Sequence, residues 1–138
     1  MEQNREVIAI KVEPLKRAKV IRQSTDLREL EKVVGGIIEF VHPYEEDICI
    51  VCNDCGRYQC VPNRFINVEE TGYYGVIFGS FLILRERKNG FEDLTIDDIK
   101  KYLPAIDYFE VFSDKGYYKV KTPPDSDDLR FMISGLSE

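Results

Sequence analysis

The sequence predicts an α+β protein: a small, mainly antiparallel β-sheet with two helices packed on it, plus a C-terminal β-hairpin extension. Three observations carry this expectation. Short apolar runs bounded by Gly, Pro, Asn and Asp recur along the chain, as strands do. Only two clearly marked stretches space their apolar residues for one face of a helix between a capping residue and a stop. Finally, 138 residues at 43% hydrophobic suit one domain, residues 1–138, that buries a core without metal or disulfide staples.

Taken in order, residues 7–12 and 18–22 read as strands joined by the short Pro14-Leu15-Lys16-Arg17 link of a hairpin. The first helix follows. Asp26 and Glu29 are spaced as a capping box, Leu27, Leu30, Val33 and Val34 share a face, and Gly35-Gly36 is the stop. A third strand, residues 37–41, runs to His42-Pro43-Tyr44. The next, residues 47–52, is expected to turn at Asn53-Asp54-Cys55-Gly56 into a partner strand at residues 57–61. A symmetric turn there sets Cys52 opposite Arg57 and Cys49 opposite Cys60.

Beyond a loop at Pro62-Asn63-Arg64-Phe65 and an acidic, irregular stretch to Tyr74, residues 75–84 form the most hydrophobic segment. They are expected as one central strand, with Gly79 marking a bulge or a close backbone approach. A charged turn at residues 85–90 leads to a helix capped by Thr95, with Ile96, Ile99 and Leu103 as its apolar stripe and Pro104 beyond its end. The last third predicts a hairpin of residues 108–112 and 117–121, then a short helix at residues 127–133.

The net charge of −6 argues against a protein whose main work is gripping nucleic-acid backbone, because Lys and Arg supply that affinity. Acidity grows along the chain, from five acidic and seven basic residues in 1–30 to eleven and six in 91–138. The N-terminal residues lack the basic and apolar regions of a signal peptide, and no apolar run approaches the roughly 18 residues of a membrane span. A cytoplasmic protein with four reduced cysteines is the expectation.

Several segments carry a family resemblance. They are Ile10-Lys11-Val12-Glu13-Pro14, the helix end Val34-Gly35-Gly36-Ile37-Ile38-Glu39, Ile50-Val51-Cys52-Asn53, Pro62-Asn63-Arg64, Ile77-Phe78-Gly79-Ser80-Phe81-Leu82 and the helix opening Leu94-Thr95. In this order they resemble the bacterial and phage family known as domain of unknown function 3846. The resemblance covers about residues 7–103, a family-like core, and leaves 104–138 as the extension. It implies a setting on phages, plasmids and conjugative elements, and brings no settled activity.

The motifs point to binding rather than turnover. Cys52-Asn53-Asp54-Cys55-Gly56-Arg57 matches one knuckle of a zinc ribbon, but a tetrahedral site needs a second pair. The strand pairing above sends Cys49 and Cys60 to the opposite face, so Cys52 and Cys55 read as ordinary thiols. No cofactor is expected, and a small zinc-binding structural protein is the weakest alternative. A thiolate nucleophile lacks a base beyond the single His42, and the paired carboxylates sit in turns and helix starts where solvation and capping explain them.

The expected ligand site is Asn63, Arg64, Tyr73, Tyr74 and Ser80, with a guanidinium fork for phosphate, an amide for a base edge and phenol rings for stacking. The expected partner surface is the aromatic hairpin with Tyr108, Phe112, Tyr117 and Tyr118. Together these suggest a phage or mobile-element accessory protein that antagonises a host defence function by sequestering a nucleotide-like molecule. The alternative is an inhibitor that docks on a host protein, or on a second copy of itself, through its acidic, aromatic C-terminal surface.

Overall fold

Two strands fix the centre of the molecule: β4 (Ile48–Asn53), buried at every position, and β7 (Phe81–Arg87), whose first four residues are buried. Strands apolar on both sides belong inside a sheet covered on both faces. The computed structural model describes residues 5–44, 47–107, 109–113 and 116–120, the last two segments by their backbone alone. Within it, β1 (Glu6–Val12), β2 (Lys19–Ser24), β3 (Ile38–Val41) and the short β8 (Gly90–Glu92) join the two central strands. The order is β2-β1-β7-β4-β3, with β8 paired to the far end of β7, and every pairing is antiparallel.

Side-chain alternation sorts the core into two layers. Val7, Ala9, Cys49, Val51, Leu82 and Leu84 lie on one face, under Leu30 and Val34 of α1 (Leu27–Val34). Ile10, Val12, Ile48, Ile50, Cys52, Phe81 and Ile83 lie on the other, where Tyr102 and Ile106 of α3 (Ile96–Ile106) cover them. The same face receives Ile66 and Ile77 from a separate hairpin, β5 (Pro62–Val68) with β6 (Tyr73–Phe78). A one-turn helix, α2 (Gly56–Gln59), links β4 to β5. Beyond α3, β9 (Phe109–Ser113) and β10 (Gly116–Val120) pair antiparallel. The helix expected at residues 127–133 lies outside the described residues.

The α+β class, the antiparallel sheet and the β1–β2 hairpin agree with the sequence, but the described residues hold three helices where two are expected, and several assignments are corrected. Residues 57–61 do not pair with β4. Instead Cys52 lies opposite Glu39 of β3, and Cys49 opposite Leu84 of β7. A fully buried strand needs a neighbour on each side, and β3 and β7 already take both; the chain after Asn53 coils into α2. The loop expected at 62–65 is the start of β5. Residues 75–84 are two strands, because Gly79 adopts φ 78° and turns the chain from the hairpin into the sheet.

The helix ends also differ in detail. Gly35, at φ 80°, stops α1 as expected, but the Asp26 side chain makes no cap hydrogen bond. The capping box falls on α3, where the Asp98 N–H donates to Thr95 Oγ1 (3.0 Å) and the Thr95 N–H to Asp98 Oδ2 (2.8 Å). Pro104 lies inside the last turn of α3, where its missing N–H costs one hydrogen bond while Ile106 beyond it reaches the core. Ile96 faces solvent, and Ile99 and Leu103 pack at the edge of the core.

Asp98 also accepts both arms of the Arg85 guanidinium, at 2.8 and 2.7 Å, tying α3 to the end of β7. These Arg85 bonds, then those from Thr95, prevail over burial and hold its carboxyl down to about 2. A depressed carboxyl adds stability that is full above its ordinary value and is lost as pH falls through the folded value. The expected contribution is about 2 kcal/mol at neutral pH. Urea unfolding of Asp98→Asn should show a loss of that order, and the gap to wild type should close between about pH 4 and 2.

Gly79 yields a second expectation, since a Cβ there meets Cys60 Sγ at 2.8 Å and Cys60 Cβ at 2.9 Å. Gly79→Ala should cost about 2 kcal/mol or more through positive φ and this clash together. Adding Cys60→Ala should recover only part of the loss, because the Cβ contact remains; full recovery in the double variant would contradict the assignment.

Candidate functional site

The β5–β6 hairpin crosses the face of the sheet that carries Cys52, and the chain after β4 folds back against the end of β6. Asn53 Oδ1 accepts the Cys55 N–H (2.7 Å), an Asx turn that starts α2, while Asn53 Nδ2 donates to the Val34 carbonyl at the end of α1 (3.0 Å). Gly56 then lies so close to β6 that a Cβ would approach the Phe78 carbonyl to 2.9 Å. Between these elements opens a cleft of about 700 Å³. Glu39, Val41 and Cys52 line its sheet side, β6 with Phe65 lines the hairpin side, and Asp54, Arg57 and Tyr58 come from the turn and α2.

Its chemistry is aromatic and mildly acidic. Phe65 and Tyr74 meet edge to face at 4.8 Å, yet Tyr74 remains 74% exposed, and Tyr58 is 83% exposed. Burial, then the charges of Glu39 and Asp54, push the Cys52 thiol up to about 12. Burial, with Cys52 and Glu39 adding to it, also raises the Tyr73 phenol. At neutral pH the cleft therefore presents a thiol and a neutral phenol beside carboxylates, with no thiolate nucleophile at Cys52. Burial, then Glu86, likewise hold Cys49 up to about 12 on the other face, where Glu86 Oε1 lies 2.6 Å from His42 Nε2. Among the described residues no three His, Cys, Asp or Glu side chains form a metal-ligand set; Cys52 is buried and Cys55 exposed at the start of α2.

The structure separates the expected ligand residues. Tyr73 and Tyr74 line the cleft. Asn63 and Arg64 are fully buried elsewhere, not displayed on a loop. Asn63 Nδ2 donates to the carbonyls of Val12 (3.0 Å) and Gly79 (2.8 Å), and its Oδ1 accepts from Arg64 Nη1 (2.7 Å). Arg64 Nη2 reaches the Lys16 carbonyl at 2.7 Å. Ser80, partly buried after Gly79, is not among the cleft residues. The cleft adds Glu39, Asp54, Arg57, Tyr58 and Phe65, which by sequence alone fall on strands, a turn and the 62–65 loop; Asn53-Asp54 before Gly56 is the signal of a tight turn there. Tyr108 and the side chains of Phe112, Tyr117 and Tyr118 lie outside the described residues.

An antiparallel sheet, a helix on one face, and a helix and hairpin on the other around an open cleft define a small α+β sheet protein. The chain belongs to the family described as Domain of unknown function (DUF3846), whose model matches residues 6–107 and so spans the sheet, the hairpin and the cleft. No curated protein and no solved structure matches it. No described helix is long and apolar enough to cross a membrane.

The burial of Asn63 makes a direct test of its role. Asn63→Ala removes the side-chain donor of two buried backbone carbonyls and the shorter of two acceptors of Arg64 Nη1, so it should cost about 2–4 kcal/mol in chemical denaturation. A variant with wild-type stability would show that Asn63 is not the clasp described.

Proposed function

We propose that this protein is an accessory binding protein of phages or mobile elements that holds a nucleotide-like small molecule in the cleft beside β6 and withholds it from a host defence system. The observation that carries this reading is the pair of tyrosines, Tyr58 from α2 and Tyr74 from β6, that line the cleft and are left largely in water. Large aromatic rings at the mouth of a cleft bury their faces only when something planar enters, and base stacking on such rings contributes about 1–3 kcal/mol per base. Residues of both charge signs, Glu39, Asp54 and Arg57, supply an acceptor and a donor for the polar edges of such a ligand.

The family resemblance supplies the setting, since small accessory proteins of mobile elements commonly act against host defence. Sequestration requires a shaped and preorganised cleft and no turnover.

Thermal unfolding across a broad nucleotide panel should reveal at least one compound that raises the Tm. Tyr74→Ala should abolish that rise while shifting the unliganded Tm by less than about 3 °C, because the ring is exposed. A panel in which no nucleotide moves the Tm would remove the reading.

A further inference from the structure

Building on the nucleotide reading of the cleft, we propose that the ligand enters base first and that the site selects a base carrying an amino group. Glu39 is the specificity-determining residue, and Arg57 is left for the phosphate. Glu39 is the cross-strand partner of Cys52, so both side chains leave the sheet on the face that lines the cleft. Its charge is felt by its neighbours, because Glu39 contributes to raising both the Cys52 thiol and the Tyr73 phenol. The cleft thus offers the Glu39 carboxylate on its sheet side, beside the Cys52 thiol and, across from it on β6, the Tyr73 phenol, two groups that keep their protons.

Arg57 is the only cation among the described residues that line the cleft, and it belongs to α2 rather than to the sheet. With Asp54 near it, the lining carries two carboxylates against one guanidinium. A phosphate placed beside Glu39 meets like charge, which is unfavourable. An exocyclic amino group placed there donates to the carboxylate, the pairing by which acidic side chains read cytosine N4. The ring then lies within reach of Tyr58 and Tyr74, and the phosphate points outward to the Arg57 fork. Cytosine, adenine and guanine satisfy this arrangement; at the exocyclic position uracil and hypoxanthine present an oxygen or a bare carbon, which leaves a single ring N–H, uracil N3 or hypoxanthine N1, to donate to the Glu39 carboxylate in place of the amino group.

Isothermal titration calorimetry of the full chain with the 5′-monophosphates of cytidine, uridine, adenosine, guanosine and inosine tests this. At least one amino-bearing nucleotide should bind about tenfold or more tighter than its oxo counterpart, uridine monophosphate for cytidine or inosine monophosphate for the purines. Glu39→Val, at an exposed strand position that keeps strand propensity, should reduce that ratio to about twofold or less. Arg57→Ala should weaken all binders by a similar factor and leave the ratio unchanged. Equal affinities for amino and oxo members, or a preference that survives Glu39→Val, overturns the base-first assignment and leaves the cleft a nucleotide site. Binding of none of the five overturns this inference, and the nucleotide reading falls with it when the broad panel also moves no Tm.

Discussion

The buried clasp of Asn63 and Arg64 is the contact on which the rest of the site depends. Two adjacent polar residues at zero exposure join three separate pieces of chain: the end of β1 at Val12, the β1–β2 link at Lys16 and the Gly79 corner. Polar groups withdrawn from water are tolerable only when their hydrogen bonds are remade inside, and remade bonds fix geometry far more narrowly than apolar contacts do. The β5–β6 hairpin shares no strand pairing with the main sheet, so this clasp, with Ile66 and Ile77 packed beneath, sets where the hairpin sits. Position of the hairpin is position of the cleft wall.

A second set of joints works on the opposite wall. Asn53 bridges the end of α1 and the start of α2, and Gly36 fits beside it where a Cβ would come within 2.9 Å of its amide nitrogen. Gly56 and Gly79 admit the close approaches of α2 to β6 and of Cys60 to the Gly79 corner. Many of the residues that carry the family resemblance, Gly36, Asn53, Asn63, Arg64 and Gly79, are these joints. They identify the scaffold, and for that reason say little about what the scaffold holds. The cleft's own chemistry comes mainly from Tyr58, Phe65, Tyr73 and Tyr74, placed by those joints.

Arg64 shows how local reading misjudges a polar residue. An arginine after Pro-Asn resembles a displayed loop side chain, because arginine is rarely buried without partners. Its hydrogen-bond partners include Lys16, 48 positions away in sequence, and the amide of its own neighbour Asn63, and no local pattern announces such an arrangement. Tyr58 is the converse case. In an expected strand it would have had one face covered, but α2 turns it into water at the mouth of the cleft.

What the sequence determined alone is what nearest neighbours decide. It specified the β1–β2 hairpin, the end of α1 at Gly35, the Thr95 cap, the special backbone at Gly79 and the α+β class, since periodicity, capping and positive φ act within a few residues. Tertiary structure decided which strands pair, that Asn63 and Arg64 turn inward, and that Tyr58 and Tyr74 share one opening. Those outcomes depend on which distant partners fill a sheet buried on both faces. That is a property of the whole core, settled when β4 took β3 and β7 as its neighbours and left the intervening chain to fold over them.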